Sequence, residues 1–130
     1  MKKTLLLIIS LLTFAIISSG CANPNAEKLV NAVEDSSDTK FSMKYDEFTG
    51  TKSHEINVKN KFTYIDMDIV TDSGTIDVKI VSDDSTEKVI YEAEDVNTCV
   101  ISVTMQEAGW YNIIVTGKNH KGSFSFDNEF

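Results

Sequence analysis

Residues 63–81 read TYIDMDIVTDSGTIDVKIV. Ile65, Met67 and Ile69 alternate with Tyr64, Asp66 and Asp68. Beyond TDSGT, Ile76, Val78 and Ile80 alternate with Asp77 and Lys79. A helix turns every 3.6 residues and would scatter these apolar side chains around its girth, whereas a strand sets every second residue on one face. Each half therefore reads as a strand with one face in a core and the other in water. Thr71–Thr75 reads as a turn, with Ser73–Gly74 closing a hairpin between the halves.

The same period of two runs through the chain from Phe41 onward. FSMKY aligns Phe41, Met43 and Tyr45, and HEINV aligns His54, Ile56 and Val58. KVIYEAE aligns Val89, Tyr91 and Ala93, and CVISVTM aligns Cys99, Ile101, Val103 and Met105. YNIIVTG aligns Tyr111, Ile113 and Val115, and GSFSFDNEF aligns Phe124 and Phe126. Turn-forming clusters separate them at residues 49–52, 71–75, 82–86, 94–97, 107–110 and 117–122. About eight short strands predict an all-β fold, an antiparallel β-sandwich or jelly roll, over residues 41–130. That length suits one domain. The single proline, Pro24, interrupts none of these strands.

The N-terminus has a different character. Met1, Lys2 and Lys3 precede an apolar run from Leu5 to Ile17, then Ser18, Ser19, Gly20 and Cys21. A basic start, a short apolar stretch and small residues before a cut describe a secretory signal peptide. The run is shorter than the roughly 20 residues a membrane-spanning helix needs. The small residues before Cys21 resemble a bacterial lipobox, although Ser18 stands where that signal usually has Leu. The resemblance implies cleavage before Cys21 and a diacylglycerol on its thiol. Residues 1–20 are then a lipoprotein signal peptide and residues 21–40 a lipid-anchored polar tether, weakly helical around Asn25–Val33. The domain would stand on the extracytoplasmic face of the cell membrane.

Charge narrows the partners. The chain carries 12 basic residues, all lysine, against 20 acidic ones, a net charge of −8. Loss of Lys2 and Lys3 with the leader deepens it to −10. Such a chain is repelled by nucleic acid and by anionic lipid, so a membrane link has to come from the lipid on Cys21. With Cys21 modified, Cys99 has no partner in the chain and reads as a structural thiol within a strand.

The residue types that carry chemistry are few. Asp66, Asp68 and Asp77 fall on the polar faces of the two strands that Ser73–Gly74 would pair. Three carboxylates brought together there form a candidate calcium site, without the spacing of a dedicated calcium loop. Solvated charge that discourages edge pairing is the competing account. Asp83, Asp84 and Glu87 crowd a turn and read as turn formers. His54 and His120 lack the close spacing of zinc ligands. No nucleophile elbow and no nucleophile–base pair emerges, so no enzymatic activity and no cofactor are expected. Trp110 is thrown outward with Asn112 and Ile114 because Tyr111 turns inward. Tyr64 also lies on an outer face. Both are candidate platforms for a sugar or peptide; the alternative for Trp110 is a cap on one end of the sandwich.

FTGTKSHEINV, SGTIDVKI, KVIYEAEDV and EAGWYNIIVTGKNHKGSFSF, within residues 41–126, resemble a group of small lipoproteins of Gram-positive gut and soil bacteria. The last segment is also similar to the pre-peptidase C-terminal and GOLD-type sandwiches, where a Gly-x-Tyr start leads into an apolar strand. The resemblance implies an accessory or binding module rather than a catalyst and assigns no site residues. The expectation is a membrane-anchored, non-catalytic binding or structural module with a carbohydrate, peptidoglycan or protein partner. The alternative is a calcium- or small-ligand-binding accessory protein of an envelope transporter or enzyme.

Overall fold

The computed structural model describes residues 27–128. They form β1 (Lys28–Val30), β2 (Val33–Ser37), β3 (Lys40–Val58), β4 (Thr63–Ser82), β5 (Val89–Ala93), β6 (Cys99–Met105) and β7 (Gly109–Asp127). No helix occurs among the described residues. All pairings are antiparallel, in the order β1-β3-β7-β4-β5, with β2 also on β3 and β6 also on β4.

Eight expected strand segments become five strands, because three of the expected turns are bends inside longer strands. FSMKY and HEINV are the two halves of β3, the opening stretch is the two halves of β4, and YNIIVTG and GSFSF are the two halves of β7. The parity of the buried positions shows how this works. In β3, Phe41, Met43 and Tyr45 are buried, then Phe48, Ile56 and Val58. In β4, Ile65, Met67 and Ile69 give way to Ile76, Val78 and Ile80. In β7, Tyr111, Ile113 and Val115 give way to His120, Phe124 and Phe126. Each strand switches between odd and even positions once. The switches coincide with register shifts at Tyr45–Gly50 against β7 and at Thr71–Thr75 against β7. A bulge adds one residue, bends the strand and moves the apolar set to the other face. Here the bend folds the sheet over, so the flipped set still meets the same core.

The result is a two-layer sandwich threaded by three strands. One layer holds β2, the first half of β3, the second half of β7, the first half of β4, and β6. The other holds the second half of β3, the first half of β7, the second half of β4, and β5. The buried apolar residues of both layers make one continuous cluster. Phe41, Phe124 and Phe126 pack with centroids 5.1 to 6.3 Å apart, in the range where offset and edge-on ring pairs are favourable.

Two glycines permit the corner. Gly74 has φ of +74°, and a Cβ there would lie 2.1 Å from the Asn119 carbonyl oxygen. Gly122 has φ of +143°, and a Cβ there would lie 1.8 Å from the Val70 carbonyl oxygen. The backbones of β4 and β7 approach too closely at the bend for any side chain.

The N-terminal boundary also differs from expectation. Residues 28–37 were expected within a tether, weakly helical in part, yet Lys28–Val30 and Val33–Ser37 are strands on the edge of β3. Lys28 pairs with Glu47 and Lys40 with Asp35 in ion pairs, both 2.9 Å. All five residues of β2 are exposed. An edge strand lying over no core needs no apolar alternation, which is why the polar sequence concealed it. The leader, Cys21 and the first part of the expected tether lie outside the described residues.

Candidate functional site

Trp110 opens β7 and lies opposite Asn57 of β3. The alternation works as expected at this point: Tyr111 is buried, its Oη donating to the Glu107 carbonyl at 2.7 Å, while Trp110 is 42% exposed. The indole stands over a shallow cleft of about 420 Å³ lined by Asp38, Ser53, His54, Glu55, Trp110 and Asn112. Two smaller depressions continue it across the outer face of the four-strand layer, the first sharing Asn112, the second reached through Lys79 and Ile114. Together they make a groove running across the strands, with an aromatic ring at one end and amide, hydroxyl and carboxylate groups along it.

A backbone bond sets the polar groups beside Trp110. The Asp83 amide donates to the Trp110 carbonyl at 2.9 Å, which brings the turn after β4 beside the start of β7. Asp83 then meets Glu55, which faces Asn112 across the β3–β7 pair. A hydrogen bond with Asp83, reinforced by charge repulsion, pushes the Glu55 carboxyl up from its usual range; His54 nearby opposes this weakly. A neighbouring carboxylate disfavours the charged form of Glu55. His54 Nε2 donates to the Ser37 carbonyl at 2.7 Å, and its ring packs on Phe41 at 5.2 Å. This fixes the side of the cleft next to the β2–β3 hairpin.

The other expected site residues do not join this groove. Tyr64 is 53% exposed but belongs to the five-strand layer, opposite Thr104 of β6. The two aromatic candidates therefore face away from each other on opposite outer faces. The expected acidic trio is also dispersed. No hairpin forms at Ser73–Gly74; Asp66, Asp68 and Asp77 follow one another along β4, with the bend between the first two and the third. Asp66 accepts from Ser102 Oγ at 2.5 Å, and Asp77 accepts from the Asp95 amide at 2.8 Å. Among the described residues no three His, Cys, Asp or Glu side chains are grouped to hold a metal ion. Asp84 is a turn former, its carboxylate accepting from the Thr86 amide at 2.9 Å and from Ser82 Oγ at 3.1 Å; bonds from Thr86 first, then Ser82 and Glu87, hold its carboxyl below the usual range.

One polar network escaped the sequence. His120 is completely buried at the bend of β7. Thr71 Oγ1 donates to the Val96 carbonyl at 2.9 Å, so its oxygen is left to accept from His120 Nε2–H, also at 2.9 Å. His120 Nδ1 then accepts from the Tyr45 hydroxyl at 2.5 Å. Every polar atom of the imidazole is satisfied in the neutral form, and burial holds its pKa below the ordinary value, with Asp72 opposing weakly. The group locks the corner, and it lies apart from the Trp110 groove.

No protein-family model matches the chain, and no curated protein matches it in sequence. Among solved structures it is similar to a CBM4 module, at 16% identity and a TM-score of 0.40, covering 82% of this chain and 86% of that one. It is similar to the low-affinity xylan-binding module CBM86 from Roseburia intestinalis, at 8% identity and a TM-score of 0.38, covering 79% and 89%. An accessory secretory protein structure from Streptococcus pneumoniae is similar at 9% identity and 0.40, covering 84% and 93%. Identities and scores this low assign neither family nor ligand.

Proposed function

We propose that this protein is a surface lipoprotein, anchored through Cys21, whose sandwich is a non-catalytic module that binds carbohydrate across the outer face of its four-strand layer. The observation that carries the reading is the groove at Trp110. An exposed indole on a rigid strand offers a flat apolar face at little entropic cost, and a sugar ring presents the matching apolar face of its C–H bonds. Asn112, Ser53, Glu55 and Asp83 supply the acceptors and donors that sugar hydroxyl groups require. Charge agrees with this choice of face. An acidic surface repels polyanions but tolerates a neutral or cationic glycan.

Titration calorimetry with neutral and amino-substituted oligosaccharides tests the face. Trp110→Ala is expected to weaken binding at least about tenfold, the order of a lost aromatic anchor. Its melting temperature should stay within about 2 °C, because little of the core contacts the ring. Unchanged affinity would overturn the platform, and a collapse of stability would make Trp110 a structural cap. Anchoring is tested by intact mass of the protein expressed in a Gram-positive host: a mature chain starting at Cys21 with a diacylglycerol adduct, lost in Cys21→Ser.

A further inference from the structure

The five-strand layer ends in β6, which among the described residues pairs only with β4, so that no described strand lies on its other edge. A free edge presents a row of unpaired N–H and C=O groups, and proteins usually guard such edges with charge, shortness or a covering element. The remaining edges here are guarded. β1 has only three residues. β2 carries Glu34 and Asp35, and β5 carries Glu92 with Lys88 and Glu94 at its ends. β6 reads CVISVTM and is the one described strand without a charged residue. It has no glycine, no proline and no bulge against β4. Val100 on its outer face is 76% exposed. Cys99 and Ile101 on its inner face are only partly covered. Beside it a cleft of about 320 Å³, lined in part by Thr104, Met105, Val89 and Ile90, opens between the edges of the two layers.

We propose that the open edge of β6 pairs with β6 of a second copy, joining two five-strand layers into one continuous sheet. Charge selects this occupant. At a net charge of −8, two copies repel wherever carboxylates meet. The uncharged β6 strand is the edge where backbone groups can meet without setting like charges opposite each other. The strand is also complementary to itself. Antiparallel pairing about Ser102 engages all seven residues, sets Val100 against Thr104, and sets Ile101 against Val103 on the core side. The two-fold axis then stands perpendicular to the sheet, so both Trp110 grooves face the same way. A seven-residue edge is a small contact, so association depends on local concentration, which attachment of both copies to one surface would raise.

The test is disulfide trapping of the full chain in a Gram-positive host, in a Cys99→Ser background, with a copper–phenanthroline oxidant. Ser102→Cys, Val100→Cys and Ser36→Cys are compared, and the parent chain sets the background from Cys21. All three positions are exposed, so folding is preserved. The register places only Ser102 opposite its own copy. A band at twice the monomer mass is expected from Ser102→Cys, at least about tenfold above the other two. Equal trapping at all three positions would mark random collision and overturn the proposal. So would an absence of trapping at Ser102, or an adduct of Ser102→Cys with a different protein.

Discussion

Replacing His120 by Phe separates the worth of the corner network from its shape. The imidazole is fully buried and bonded on both nitrogens, to Tyr45 and to Thr71. In His120→Phe, Thr71 still donates to Val96, but the Tyr45 hydroxyl loses its acceptor within the core. One orphaned buried donor costs about 1–3 kcal/mol. Taking about 2 kcal/mol, a domain of this size should melt roughly 10 °C lower. Adding Tyr45→Phe removes the orphan, while the ring stays packed against Phe48 and Phe124. The double variant should therefore regain part of the loss and be more stable than His120→Phe alone. The same substitutions change the response to acid. Burial lowers the folded-state pKa of His120 below its unfolded value near 6.5, so the unfolded chain binds the proton first. That contribution is complete above the unfolded pKa and is lost as pH falls through it toward the folded value. Thermal melts of the wild type, both single variants and the double variant from pH 8 to pH 5 test both arguments. A double variant no better than His120→Phe, or an acid slope that survives loss of the histidine, would refute the assignment of a neutral, fully bonded imidazole.

Gly122→Ala should be more damaging than its chemistry suggests, since a Cβ would be forced against the Val70 carbonyl at a positive φ; a loss of at least about 2 kcal/mol is expected in urea unfolding, and an unchanged midpoint would disprove the close approach. Deleting residues 1–40, the boundary suggested by the apolar pattern alone, removes two paired strands and bares the edge of β3; the remaining chain should lose about 2 kcal/mol and associate at high concentration, whereas deletion of residues 1–26 should leave it intact. At Glu55 the raised carboxyl pKa means the folded state holds the proton more tightly than the unfolded chain does, so this pair destabilises at neutral pH and the penalty disappears on acidification. Glu55→Gln should therefore melt above the wild type at pH 7 and level with it near pH 4.

Period-two alternation identified the strand class and nearly every core side chain, because a half-buried strand must write its core face into every second residue. It also held the bends, although they read as turns. Clusters such as TDSGT and GKNHKG have the composition of a loop, and Gly74 and Gly122 do take positive φ, but the backbone continues its ladder past them. The distinguishing signal was the parity: Ile69 to Ile76 spans an odd number of positions, as does Tyr45 to Phe48. Two hairpin strands carry no such relation, while a strand that bends around a single core requires it. β1 and β2 left no trace, since β1 has only three residues and β2, exposed throughout, follows Val33 with four polar residues. Trp110 was legible as an outward residue from the inward set of Tyr111. Its neighbours Glu55 and Asp83 were not, because they come from the end of β3 and the turn after β4 and meet only through pairing with β7. The acidic trio failed for the same reason in reverse. It presumed a hairpin at Ser73–Gly74, and a continuous strand keeps those carboxylates apart.

The order of the sheet bears on how the chain can be made. β7, the last of the described strands, is the central one, with β3 on one side and β4 on the other, and β3 and β4 do not pair with each other. Until a ribosome has released Gly109–Asp127, the two other long strands have no neighbour to complete them. A nascent chain stopped short of β7 is two separate hairpin fragments with open apolar faces. The two halves of the sandwich therefore join only once β7 has emerged, and any step that delays it lengthens the time those faces must be shielded.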